Sequence, residues 1–465
     1  MTAPTAIAPS SRRGAELVMT LLAIALAVVA YAAVGLGHNN KLPVGSLAYG
    51  AGLAALVIGA HLAVRRFAPY ADPVFLPLAA ALNGLGLVLI HRLDLAAADR
   101  AHQAGRHLPQ ADAPLQLVWT ALGIAAFVAV LAVVRDHRQL QRYTYTAGLV
   151  GLVLLALPAI LPAQYSTVHG ARIWIRVSGF SLQPGELAKL ALMVFFAGYL
   201  VAKRDVLALA SRRFAGIDLP RGRDLGPVLA AWLASMAVLV LEKDLGTSLL
   251  FFGMFIAMLY VATERRSWLL IGVGLFALGS FAAYHAFGHV RDRVDIWLHP
   301  FRYASTTGYQ LVQSMFGLAF GGILGTGLGQ GRPDTVPFAN SDFIISTVGE
   351  ELGLAGLMAI LVIYALLVMR GLRAALAVRD SFGKLLAAGL AFSLALQVFV
   401  VVGGVTRLIP LTGLTTPFLS YGGSSLLAEW ALIALLVRIS DAGRRPEDVP
   451  AAAGADDALT QVIRR

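Results

Sequence analysis

The chain of 465 residues has no cysteine, is 58% hydrophobic and only 14% charged, and carries a formal net charge of +11 at a mean hydropathy of +0.74. The missing cysteines exclude disulfides, thiolate metal sites and cysteine nucleophiles, and this much apolar surface exceeds what a soluble fold of the same size can hide. Apolar residues come in runs of roughly 18 to 22, the length with which a helix crosses about 30 Å of hydrocarbon, and continuous rather than alternating apolarity selects helices over a barrel; the fold class is all-α, a polytopic helical membrane protein with about twelve transmembrane helices.

In chain order the predicted spans lie near Glu16–Leu36, Ser46–Val64, Pro73–Ile90, Leu115–Val134, Tyr145–Leu161, Leu187–Ala202, Gly226–Leu241, Leu245–Ala262, Trp268–Phe287, Ile344–Met369, Leu385–Gly403 and Ser424–Val437. A cleaved signal peptide competes for the first run, which has Ala30-Tyr31-Ala32 inside it, but the run outlasts a usual signal core and a similar one follows at once. With Arg12 and Arg13 assigned to the cytoplasm, the alternate loops inherit Arg65 and Arg66, then Arg135, Arg138 and Arg142, then Lys203, Arg204, Arg212, Arg213, Arg221 and Arg223, then Arg265 and Arg266, then Arg370, Arg373 and Arg379; Arg444 and Arg445 also fall inside. Both termini are therefore expected in the cytoplasm. The same rule accounts for the positive charge without a nucleic-acid partner. Residues 1–14 and 441–465, rich in Ala, Pro, Ser and charge, are expected as disordered tails. Between them, 15–72 form an N-terminal helix pair and 73–440 a transmembrane core with a long outer loop at 288–342.

Three outer segments are long or keep arginines against the topological bias: Gln164–Gly185, Gly288–Asp342 and Gly404–Gly423. Arg172, Arg176, Arg291, Arg293, Arg302 and Arg332 on two of them suit an anionic partner, or else pair with local acids and lipid headgroups. Gln183-Pro184-Gly185-Glu186 opens a helix, and Lys189 sits three residues on, on the same face as Glu186; an interfacial ion pair is the plain alternative to a site. Glu242-Lys243-Asp244 is a charged crossover with almost no loop, where Asp244 either caps the next helix or faces a polar cavity. Tyr309-Gln310 and Gln313-Ser314 precede a glycine run from Gly321 to Gly329 that lacks the lysine of a nucleotide loop, and Asp342, Glu350 and Glu351 follow, the last two placed one turn into an apolar span. The segment from Pro410 through Ser420-Tyr421-Gly422-Gly423 to Ser425 interrupts two apolar runs with prolines, glycines and hydroxyls, as the lining of a wet cavity does.

In this order and spacing, Gln183–Lys189, Glu242–Thr247, Gly308–Ser314, Asp342–Gly353 and Pro410–Ser424 resemble the signature set of the RodA/FtsW/SpoVE family, with the elongation branch the nearer one. The resemblance covers roughly residues 73 to 440, leaving the first two spans as an addition. It implies a peptidoglycan glycosyltransferase of the cytoplasmic membrane that polymerises lipid II on the outer face. It further implies a class B penicillin-binding protein as partner, with other membrane proteins of the elongation or division complex, and allows a divalent cation, Mg2+ or Mn2+. Carried over residue by residue, it makes Glu186, Lys189 and Asp244 catalytic candidates. Arg172, Arg176, Tyr309, Gln310, Gln313, Ser314, Asp342, Glu350 and Ser420 to Gly423 are then candidates for substrate binding.

The family commonly places an aspartate, proposed as the catalytic base, six residues before the tyrosine of Gly-Tyr-Gln; counting back from Tyr309 lands on Tyr303. No carboxylate stands between Asp295 and Asp334, and a phenol is a poor base near neutrality. Asp295 is taken as the replacement, with Asp292, His299 and Asp342 as the other choices. Two further readings stay open: a catalytically silent scaffold that activates the penicillin-binding protein, and a flippase for lipid-linked precursors.

Overall fold

The computed structural model describes residues 12–446 apart from 44, 169–170, 178–179, 209, 215–216, 221–225 and 243. The outermost parts of the expected tails, with Gly170, Arg221, Arg223 and Lys243, lie outside the described residues. The helices are α1 (Arg13–Asn39), α2 (Ser46–Phe67), α3 (Phe75–Gln103), α4 (Ala113–Val133), α5 (Thr144–Ile160), α6 (Ala163–Ser166), α7 (Pro184–Ala208), α8 (Gly226–Glu242), α9 (Leu245–Thr263), α10 (Arg266–Ala286), α11 (Gly288–Leu298), α12 (Tyr309–Gly321), α13 (Ile344–Glu351), α14 (Gly353–Ala377), α15 (Ser381–Val405) and α16 (Gly423–Arg444). Eleven of them are long and apolar enough to cross a bilayer, so the protein is a multi-pass membrane protein. The remaining predicted span, α8, has 17 residues, about 26 Å at 1.5 Å per residue.

The expected span Ile344–Met369 is two helices. Gly353 breaks it at φ +66, and the break is paired with the glycine run: Leu354 and Ala355 donate their amides to the carbonyls of Gly322 (3.0 Å) and Ile323 (2.9 Å), while Thr326 and Gly327 donate to those of Glu350 (2.9 Å) and Glu351 (3.0 Å). A Cβ on Gly353 would stand 2.3 Å from the amide nitrogen of Gly325, so only glycine allows this approach. Glu350 and Glu351 therefore end a short helix ahead of the span rather than lying inside it. The loop 288–342, expected on the outer side, is likewise built, carrying α11 and α12, and 161–183 holds two small antiparallel hairpins, β1 (Thr167–Val168) with β2 (Ala171–Arg172) and β3 (Ile175–Val177) with β4 (Phe180–Leu182). A third, β5 (Ala210–Phe214) with β6 (Ile217–Pro220), lies between α7 and α8.

The axis of the bundle is α16, with 94% of its apolar stretch buried against 17% for α10. It packs on α3, α4, α7, α14 and α15, and the contact with α4 is close because it is made through glycines: a Cβ on Gly423 would collide with the Trp119 ring, and one on Gly123 with that of Trp430. Trp430 donates Nε1–H to Asn83 Oδ1 (3.0 Å), whose amide donates to Thr120 (3.2 Å), so the axis is also polar-bonded to α3 and α4.

At the end of the bundle that carries both termini, the acids are paired with cations. Glu16 holds Arg13 and His61 (2.7 Å), and Asp72 meets Arg370 (3.4 Å) and Arg444. Asp441 meets Arg445 (3.0 Å) and accepts from the Tyr70 amide (2.8 Å). These bonds explain why α16 runs to Arg444, past residue 440 where the tail was expected to begin.

Candidate functional site

At the opposite end, the segments singled out in the sequence converge. The deepest node is Lys189 on α7, 1% exposed, whose Nζ donates to Glu186 Oε2 (3.0 Å), Gln397 Oε1 (2.9 Å) and Glu429 Oε1 (2.7 Å). An ammonium has three hydrogens, and all three are engaged. The pair Glu186–Lys189 is the expected one. Gln397 on α15 and Glu429 on α16 were not expected, although each is a lone polar residue within an apolar run, which is itself a signal of function. The second oxygen of Glu429 is buried without a partner.

The node is tied to the loop above it. Gln397 Nε2 donates to the Thr415 carbonyl (3.0 Å), and the loop is pinned along its length. Ser420 Oγ donates to the Ser341 carbonyl (2.6 Å) and accepts from the Thr416 amide (2.8 Å). The Tyr421 amide reaches the Asn340 carbonyl (2.7 Å), and that of Gly422 the side chain of Gln116 (3.3 Å). Ser420 to Gly423, expected to bind substrate, are here engaged in holding the loop, with Gly423 making room for Trp119.

A second cluster stands beside the loop. Asp244 caps α9, accepting from the Thr247 amide (3.0 Å) and hydroxyl (2.6 Å), so the capping alternative holds. It is also buried, which pushes its carboxyl up against the opposing pull of those bonds and of Arg293. Asp342, immediately ahead of α13, is partly open to solvent, yet protein crowds its carboxyl and pushes it up to about 6; Arg293 opposes the shift and Asp244 adds to it. Arg293 on α11 donates to the Leu411 carbonyl (2.8 Å), and a Cβ built on Gly413 would meet Asp342 Oδ2 at 3.6 Å and Arg293 at 3.8 Å. Asp342 and Arg293 thus face the same turn of the loop, with Asp244 within electrostatic reach of both.

The other candidates are placed separately. Asp295 leaves α11 about 200° round the helix from Arg293; it is half-buried, and no hydrogen bond or ion pair ties its carboxylate to the described residues. Tyr303 closes a 3-10 turn against Gly308. Tyr309 is exposed, Gln310 and Gln313 are half-buried, and Ser314 is buried with its hydroxyl unpartnered. Glu350 turns inward: Oε1 accepts from the Arg332 amide (2.6 Å), while a Cβ on Gly317 would meet the unpaired Oε2 at 3.2 Å. Arg172 and Arg176 are exposed on the hairpins.

A family model for FtsW, RodA and SpoVE, described as cell cycle protein, matches residues 73–445. The chain belongs to the FtsW/RodA/SpoVE family. Within it, the chain is 54% identical to the peptidoglycan glycosyltransferase RodA of Mycobacterium tuberculosis, over 96% of this chain and 94% of the relative. It is 35% identical to a probable peptidoglycan glycosyltransferase FtsW of Geobacter metallireducens, over 79% of this chain and 94% of that one. In fold it matches a chain from the structure of a peptidoglycan synthase complex that coordinates polymerisation and crosslinking, at a TM-score of 0.62 and 27% identity over 81% of this chain and 99% of that one. The FtsW/RodA/SpoVE core of this chain is thus α3 to α16, and it holds both polar clusters.

Proposed function

We propose that the protein is a RodA-type peptidoglycan glycosyltransferase, polymerising lipid II at the extracytoplasmic face of the cytoplasmic membrane with both termini in the cytoplasm. The reading places it beside a class B penicillin-binding protein that crosslinks the product, within an elongation or division complex. Besides the kinship, one observation carries it: Asp342 and Arg293, brought from distant segments, meet at the Gly413 turn at the loop end of the bundle, with Asp244 within electrostatic reach of both.

In glycosyl transfer a sugar hydroxyl of one substrate attacks the anomeric carbon of the other while the bond to pyrophosphate breaks. Asp342 takes the hydroxyl proton. A carboxyl pushed up to about 6 is ionised near neutrality and more basic than an ordinary aspartate, as a base needs. Burial is the main source of that raised affinity; Arg293 opposes it and the like charge of Asp244 adds to it. The exposed Arg172 and Arg176 gather the anionic pyrophosphate. Lys189, enclosed by its three acceptors, touches no substrate; it is a positioning residue that joins α7, α15 and α16 beneath the loop. The divalent cation allowed by the resemblance has no protein-built cage among the described residues, where no group of three or more His, Asp or Glu converges, so no step is routed through a metal.

The test is glycan-strand synthesis from lipid II by the purified protein with its penicillin-binding partner. Loss in Asp342→Asn with retention in Asp295→Asn supports this assignment, and the reverse pattern moves the base to α11. No polymer from wild type, but polymer from Tyr303→Asp, would overturn the transferase reading in favour of the scaffold that Tyr303 motivates.

A further inference from the structure

The helix pair α1–α2 lies ahead of the family core, which begins at residue 73. The FtsW relative accounts for 94% of its own length with only 79% of this chain, so that relative has no room for the pair. What the pair does here can be followed from one end of α1 to the other.

At the terminal end it is anchored: Arg13 reaches the Ala71 carbonyl and Glu16, and Glu16 accepts His61 of α2 (2.7 Å). Midway, α1 packs on α3 so closely that a Cβ on Gly84 would meet that of Ala27 at 2.7 Å. At the loop end α1 touches the glycine run itself. A Cβ on Gly37 would stand 2.1 Å from the Leu328 carbonyl oxygen, and one on Gly329 (φ +86) 2.5 Å from that of Val34. Leu328 packs against the small buried cluster of Ala30, Val34 and Val88. His38 adds a contact with Asp99 (3.2 Å).

From there the load path leads into the site. The Gly329 amide donates to Glu351 Oε2 (3.1 Å), and Arg92 of α3 donates to Glu351 Oε1 (2.7 Å) and to the Gly331 carbonyl (2.7 Å). Glu351 ends α13, the short helix that Asp342 precedes. The loop end of α1 and the acid that faces Arg293 are therefore connected through one bonded segment.

We infer that α1–α2 is a built-in brace: α1 seats Leu328–Gly329 and so holds α13 and Asp342 in register with Asp244 and Arg293. The inference rests on the transferase reading for its kinetic arm but not for its structural arm. The experiment uses the full chain with its penicillin-binding partner and compares Gly37→Leu with Leu328→Ala, which loosens the same contact without a clash. Gly59→Leu, on an exposed face of α2 with nothing near its Cβ position, is the control. Hydrogen exchange of the amides in 321–335 is read alongside the rate at saturating lipid II. The expected result is faster exchange in that segment and a rate lower by up to about 10²-fold, the size of effect a misplacement of about 1 Å has on reacting groups, with partner co-purification retained and Gly59→Leu like wild type. Wild-type exchange in both test variants overturns the brace. Faster exchange with an unchanged rate overturns its role in positioning Asp342. Wild type that makes no polymer sinks the transferase reading, and the exchange arm alone then supports or overturns the brace.

Discussion

The two ends of the bundle handle buried charge in opposite ways. At the terminal end each acid has its own cations: Glu16 has Arg13 and His61, Asp72 has Arg370 and Arg444, and Asp380 has His137 (2.7 Å). Burial by itself would raise the carboxyl of Asp380, but the bonds from His137 and the Gly383 amide bring it down to about 2. At the loop end burial raises Asp244 and Asp342 against the pull of Arg293, and Glu429 and Glu350 each keep an unbonded oxygen. At the terminal end these carboxylates are paired and hold the helices together, as Lys189 with Glu186 and Glu429 does at the loop end. The loop end is also left with unused proton affinity and unfilled acceptors, the condition in which a site can still take up something new.

Replacing charges at each end breaks or sharpens this contrast. The largest effect expected is on rate: Asp342→Asn should lower glycan-strand synthesis about 10²- to 10⁴-fold, the range for loss of a general base, with little change in the thermal unfolding midpoint. If rate and midpoint fell together, the loop end would be no different in kind from the terminal end. Next comes Lys189→Met, which leaves Glu186 and Glu429 buried without their cation and should cost about 3–5 kcal/mol of stability, measured by thermal unfolding in detergent. The double variant with Glu429→Gln should regain part of that loss, and an unchanged midpoint in the single variant would show that the node bears no load.

A pH profile gives a smaller effect with opposite signs at the two ends. Asp342 must be ionised to act, so the rate should rise as pH passes upward through about 6 and flatten above it. Its raised carboxyl binds a proton more tightly folded than unfolded, so its own contribution to stability falls as pH rises from the ordinary aspartate range to about 6. Asp380, held at about 2, is the reverse: its contribution is full above the unfolded aspartate value and fades as pH falls toward 2. Asp380→Asn should remove that acid-side slope from the unfolding midpoint, the smallest change of the series, because its carboxylate is partly solvent-exposed.

Much of this architecture is legible in the sequence, because membrane spans obey a length rule that each apolar run states on its own. Where the reading failed, the deciding contact was non-local. Nothing within Ile344–Met369 shows that Gly353 will turn to pair with residues 322–325; only the partner segment makes the break necessary. Of the site, Glu186, Lys189, Asp244 and Asp342 could be found from local pattern and family resemblance. Arg293 was visible as an arginine on the wrong side of the charge rule. Gln397 and Glu429 each sit alone in an apolar helix and were passed over for want of a motif, although that solitude was the signal. The Ser420 hydroxyl and the Tyr421 and Gly422 amides hold the loop, a role that spacing alone does not distinguish from substrate binding.

The burial of α16 has a consequence for how the protein is made. The helix that α3, α4, α7, α14 and α15 lean on comes after all of them in the chain. Until it arrives, they have a vacant centre, lined by Trp119, Asn83 and Lys189 with no partner from the axis. Assembly around the axis is thus held open until α16 follows its neighbours, and is then closed by a single insertion. A chain halted before Gly423 would leave Lys189 without Glu429 and Asn83 without Trp430, polar groups facing a gap among apolar helices.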